Sequence, residues 1–185
     1  MTPWTAFNYQ GEYVFDAARV KKYWLQLHAG DLEPLPNDEA VLAAWAQFHG
    51  GAFQKATELG LQAGSAGSTV ANKATCIYAN YLEPKEKNRQ ILFLQVAERA
   101  AAQAAAEPGN PNAYYWQAYA LGRYSQGISV AKALAQGVGG KIKSALEKTI
   151  ALQPQHADAH VALGAFHAEV IDKVGALIAN MTYGA

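Results

Sequence analysis

The chain has 185 residues, of which 51% are hydrophobic and 16% charged, a length and composition suited to one domain with a substantial core. Lys+Arg and Asp+Glu both number 15, so the formal net charge is zero and nothing global points to nucleic acid or an anionic membrane. Cys76 is the single cysteine, which excludes an internal disulfide framework and a cysteine-rich zinc site and favours a reducing compartment, the cytoplasm.

The first 15 residues place Trp4, Phe7, Tyr9, Tyr13 and Phe15 at roughly alternate positions, a pattern suited to an extended arm packed on helices. They lack a basic stretch followed by an apolar run, and no window approaches the roughly 18 apolar residues of a membrane span, so a soluble, unexported protein is expected. After Asp16 apolar residues recur at helical spacing almost everywhere, and the body of the chain reads as all-α.

Asp16 is suited to cap a helix running to about His28, whose Ala17, Val20, Trp24 and Leu27 share one face; Gly30 ends it. The segment DLEPLPN at Asp31–Asn37 carries two prolines and no periodicity, which predicts an extended connector, with Asn37 or Asp38 capping the next helix. Helices are then expected at about 38–49, 52–63, 68–82, 87–106, 112–126 or beyond, 141–152 and from 157 onward, separated by glycine and proline breaks. The corresponding division is an arm over 1–15, an extra helix over 16–30, and helical hairpins over 38–64, 68–107, 111–153 and 154–185, the last incomplete.

Two of these segments resemble each other. PNAYYWQAYALGRYSQG at Pro111–Gly127 and PQHADAHVALGAFHAEV at Pro154–Val170 superpose on Ala-Leu-Gly, each with an aromatic two residues later, Tyr124 and Phe166. Pro, Leu-Gly, an aromatic, then a helix of the form SALEKTIALQP (Ser144–Pro154), together with Gly-Ala-Phe-Gln-Lys-Ala at 51–56, resembles the tetratricopeptide repeat (TPR). The likeness covers roughly Asp38 to Ala168 and is weak over 68–107. Within that superfamily, Gly127–Ile178 looks most like bacterial relatives of the regulator of microtubule dynamics proteins, on a lengthened turn, Lys-Ile-Lys-x-Ala-Leu-Glu-Lys, Ala-Asp-Ala-His and His-Ala-Glu-Val.

The resemblance implies an all-α, TPR-like hairpin array, an α-solenoid, acting as a non-enzymatic scaffold that holds a peptide or protein partner on its concave surface. Carrying the family register onto this chain places Trp116, Tyr119 and Arg123 on that surface, with Val41, Trp45, Phe48 and His49 in the first unit and Asp158, Val161, Ala165 and Glu169 in the last. Aromatics and arginine dominate binding hot spots, so Trp45, Phe48, Tyr78, Trp116, Tyr119, Arg123, Asp158 and Glu169 form the expected peptide- or ligand-binding row. The competing reading of the aromatics is core. The register also makes Gly122, Gly164, Ala56 and Ala145 the small residues that let paired helices approach.

Other chemistry is weighed against this. AQGVGGKIKS at Ala135–Ser144 looks like a phosphate-binding loop, but Ala135 stands where its first glycine belongs and Ile142 where its hydroxyl belongs, and no strand precedes it. Gly122 and Gly164 are 42 residues apart, eight more than the repeat's usual 34 or so, an excess of about two helical turns. The first helix is therefore expected to run past Gly127 and reverse at Gly137–Gly140.

His156, His160 and His167 with Asp158 and Glu169 are candidate metal ligands whose plainer reading is packing and capping, so no metal, no cofactor and no catalytic residue is assigned. A groove around Trp45, Tyr78, Trp116 and Tyr119 carrying a small apolar ligand or lipid is the alternative function, and a His-based metal enzyme a lesser one. Lys132, Lys141, Lys143 and Lys148 read as a solvated face, with Glu147 spaced to pair with Lys143. The last helix ends apolar, leaving room for a homo-oligomer built through it.

Overall fold

The computed structural model describes residues 3–184, and among these every regular element is helical. The elements are α1 (Ala17–Leu27), α2 (Glu39–His49), α3 (Phe53–Gln62), a 3-10 turn (Gly64–Gly67), α4 (Ser68–Tyr81), α5 (Glu86–Ala106), α6 (Pro111–Gln126), α7 (Val130–Ala135), α8 (Val138–Leu152), α9 (Ala157–Val174) and α10 (Ala176–Tyr183). No described helix is long and apolar enough to cross a membrane.

Local chemistry sets the boundaries. Asp16 accepts from the Arg19 amide at 2.7 Å and Asp38 from the Ala40 amide at 2.7 Å, satisfying first-turn donors that a helix leaves unpaired. Asn110 caps α6 with Pro111 at its first position, where the missing N–H costs nothing. The helix beginning at Pro111 does not run past Gly127 as the spacing predicts. Gly127 ends it, and the Ser129 hydroxyl, accepting from the Lys132 amide at 3.2 Å, starts the separate short α7. The reversal is also tighter than expected: Gly137 alone takes a left-handed conformation, φ +61°, and Gly139 and Gly140 already lie inside α8.

Successive helices pack on one another from α2 through α6 to α8 and α9, and α2, α4, α6 and α9 also touch in turn. One core cluster joins α1, α2 and α4 through Val20, Trp24, Leu42, Trp45 and Val70; a larger one runs from Cys76 and Phe93 through Trp116 and Leu146 to Phe166. Ala56 and Ala145 are buried as the close-packing argument requires. Gly122 and Gly164 are not close contacts, since a Cβ at either would meet nothing within 4 Å. The tight approach lies instead at Gly60 of α3 and Gly67 before α4, where a Cβ on Gly67 would stand 2.1 Å from the Gly60 carbonyl oxygen.

Candidate functional site

Lys73 is the one basic residue of α4, within the otherwise uncharged run TVANKATCIYA. Its ammonium lies 5.6 Å from the Trp45 ring centroid, 5.4 Å from Phe48 and 5.9 Å from Trp116, so α2 and α6 supply aromatic faces on either side of it. The side chain is 14% exposed and forms a 2.5 Å salt bridge to Asp31 Oδ2, itself buried in the connector after α1. A cation this enclosed is tolerable because an ionised partner and ring faces replace its water.

Asp31 organises a wider network. Burial alone would push its carboxyl up, but the hydrogen bond from His28 and the Lys73 ammonium outweigh that and hold it well below the usual carboxylate range. Because Asp31 Oδ1 is an acceptor, His28 Nδ1, 3.0 Å away, carries the proton. Burial keeps His28 below its ordinary value despite Asp31, so its Nε2 is bare and accepts from His49 Nε2–H at 3.3 Å. Burial, then the charges of His28 and Lys73, bring His49 down to about 3.

Beyond Asp31 the connector meets the amino ends of α6 and α9. Asn112 Nδ2 donates to the Asp31 carbonyl at 3.0 Å and to Glu33 Oε2 at 2.6 Å, while Asn112 Oδ1 accepts from His156 Nε2 at 2.9 Å. Burial and the nearby Asp31 charge raise the Glu33 carboxyl to about 8. His156 Nδ1 in turn accepts from the Ala159 amide at 3.1 Å, so this fully buried histidine is the amino-terminal cap of α9. The Asp158 amide donates to the Gly30 carbonyl at 3.2 Å.

The expected binding row is distributed as follows. Trp45, Phe48 and Trp116 surround Lys73, and Trp45 and Trp116 are only 1% and 3% exposed. Tyr119 continues from Trp116 at 5.3 Å, and the Arg123 guanidinium lies 5.3 Å over the Tyr119 ring. Arg123 Nη1 donates to Gln126, whose Nε2 donates to Glu169 at 3.1 Å, linking α6 to α9. Asp158 sits apart, over Gly30. Tyr78 turns away to the arm, stacked on Trp4 at 4.0 Å with its hydroxyl donating to Glu83.

Of the other candidate residues, His160 is exposed with Nε2 at 2.9 Å from the Pro154 carbonyl, and His167 lies further along α9 with Nε2 buried and unbonded. Among the described residues no three His, Cys, Asp or Glu side chains converge as metal ligands. Burial raises the Cys76 thiol, which is fully enclosed. Lys143 pairs with Glu147, and Lys141 and Lys148 line a cavity of about 650 Å³ with Gly137 and Gly140.

The residues that sequence reading passes over are Asp31, Glu33, Lys73, His28 and Asn112. Their signals are local: two acids bracketing Leu32 before a proline, and a lone lysine in a helix with no charged neighbour. What no pattern supplies is the 42-residue separation across which Lys73 and Asp31 meet.

These features define an all-helical protein of successively packed hairpins, with an aromatic-walled, ion-paired lysine held between its alternate helices. The chain belongs to the regulator of microtubule dynamics protein 1-3 family, whose model matches residues 46–174, from within α2 to the end of α9. Trp116 and Lys73 lie inside that span; the arm, α1, Asp31 and α10 lie outside it. Comparison with curated proteins and with solved structures finds no match.

Proposed function

We propose that the chain is a non-enzymatic scaffold of the TPR type, an α-solenoid that binds a peptide or protein partner on its concave face, in the cytoplasm. The array reading is supported by the packing order: each helix of the row α2, α4, α6, α9 touches its hairpin partner, and each of the first three also touches the next of its row. That is the arrangement in which each repeat hides its apolar stripe against the next.

The binding reading rests on one observation, the continuous row of rings and cations from Trp45 and Phe48 through Lys73 and Trp116 to Tyr119 and Arg123. Gly30–Glu33 fills one end of it through Asp31 and Asn112. The partner therefore takes the other end, where Tyr81 is 69% exposed and Arg123, among the described residues, pairs with no carboxylate. An acidic side chain or chain-terminal carboxylate against Arg123, with an apolar group on Tyr119 and Tyr81, is the complementary chemistry.

Panning a random peptide library on the immobilised protein tests this. Enriched sequences should carry a carboxylate and lose binding to the Tyr119→Ala, Arg123→Glu double variant, whereas undiminished binding to that variant overturns the reading.

A further inference from the structure

Between Pro3 and Val14 only Trp4 and Phe7 are less than exposed. The arm is rooted where Phe15 packs on His49 and Arg19 donates to the Val14 carbonyl at 2.8 Å, and ahead of that root its side chains are seated at two points three residues apart. Trp4 stacks almost parallel on Tyr78, centroids 4.0 Å apart at 14°. Phe7 packs 5.9 Å from Phe53 and covers Gly51, where a Cβ would lie 2.4 Å from Phe7 Cδ1, so the absent side chain is the seat of the ring. Gly51 adopts φ +81°, a conformation that also favours glycine.

The body of the protein also binds the arm's backbone. Gln54 Oε1 accepts from the Trp4 amide at 2.9 Å, and the Tyr78 hydroxyl accepts from the Thr5 amide at 3.3 Å. Such bonds recognise an extended backbone whatever its side chains, while the two ring seats choose which side chains are admitted. The arm's own backbone bonds, from the Gln10 amide to Phe7 and the Glu12 amide to Tyr9, close turns within itself. Beneath it remains a cavity of about 380 Å³, room for on the order of ten waters, lined in part by Lys55 and Glu58. Two anchors over a roomy, partly polar cavity hold a segment less firmly than a continuous packed interface would.

We propose that Gly51, Phe53, Gln54 and Tyr78 form a docking site for an extended segment of another protein carrying Trp-x-x-Phe, with the chain's own arm as the resident occupant that such a segment displaces. The site stands on the arm's seating and not on the Trp116–Arg123 row, so either can fail without the other.

The test uses the 185-residue chain with Trp4→Ala and Phe7→Ala together, which empties the site, and a fluorescent peptide of the sequence PWTAFNYQ. The emptied chain should bind it at least tenfold more tightly than the wild-type chain, and a peptide lacking the Trp and Phe rings should not bind. A folded double variant that fails to bind the peptide overturns the proposal. Should the double variant unfold, the wild-type chain still decides: a peptide with benzoylphenylalanine at the Phe7 position should cross-link to Gly51–Gln54, and cross-linking only elsewhere overturns it.

Discussion

The Nε2 atoms of His28 and His49 face each other 3.3 Å apart, and with His28 Nδ1 committed to Asp31, one of the two rings must keep its Nε2 bare, so the contact fails once both are protonated. His49 falls from 6.5 to about 3 on folding and His28 is lowered too, with burial the largest cause for each. A lowered folded value means that the unfolded chain takes up protons first. The stability contributed is complete above pH 6.5 and is lost as pH falls toward 3, with Asp31 adding to the loss below the ordinary carboxylate range. The thermal midpoint should therefore decline from pH 6.5 to 4, and more shallowly in His49→Gln, whose amide can donate to His28 without titrating. Parallel curves for the two proteins would show that the pair does not carry the acid sensitivity.

Glu33 gives the opposite slope. Its folded value, raised to about 8 from 4.5 by burial and Asp31, makes the folded state the better proton binder. Its contribution is fully present below pH 4.5 and is lost as pH rises through 8. Above pH 6.5, where the histidine contribution is complete, Glu33 alone among these groups should lower the midpoint up to pH 8. Glu33→Gln keeps an oxygen for Asn112 Nδ2 to donate to, and should flatten that decline; melting curves at pH 6.5, 7.25 and 8 decide it.

Lys73 and Asp31 should behave as a coupled pair. Lys73→Met leaves a buried carboxylate facing rings and a neutral thioether, at a cost of about 3 kcal/mol, and Asp31→Asn leaves an enclosed ammonium at a comparable cost. The double variant removes both charges and should cost well under the sum of the two. Urea unfolding of the four proteins measures the coupling; additive losses would mean that the ring faces alone sustain Lys73.

How much of this is legible in the sequence follows from range. The helices and their caps are written in residues adjacent along the chain, which is why the Asp16 and Asp38 caps and the end of α1 close to His28 are where periodicity and capping put them. Trp45 and Phe48 share a face of α2 by local spacing, whereas their meeting with Trp116 of α6 is implied only by the repeat register that the resemblance carries onto the chain. The Asp31–Lys73–His28–His49 cluster is not legible, since its members come from the carboxyl cap of α1, the connector, α2 and α4, and their local signals do not say which of them meet. The Gly127 break escapes periodicity because Tyr124, Ile128, Ala131 and Ala135 keep helical spacing across it, while the Ser129 cap that restarts the chain breaks no period.

The glycines separate sequence expectation from structure most cleanly, and they can be tested as two pairs. Gly122 in α6 and Gly164 in α9 occupy helix interiors with open space where a Cβ would go. Alanine at either lowers the backbone entropy of the unfolded chain without a clash, so each variant should gain about 0.5–1 kcal/mol. Gly60 and Gly67 meet backbone to backbone: a Cβ on Gly60 would lie 2.8 Å from the Gly67 carbonyl oxygen, and one on Gly67 2.8 Å from Gly60 Cα. No rotamer relieves a clash with main chain, so α3 and α4 must separate, costing about 1–3 kcal/mol for either alanine. Chemical denaturation of the four single variants should divide them two and two by sign. Loss of stability at Gly122 or Gly164 would instead restore the close-packing role that the repeat resemblance assigns to them.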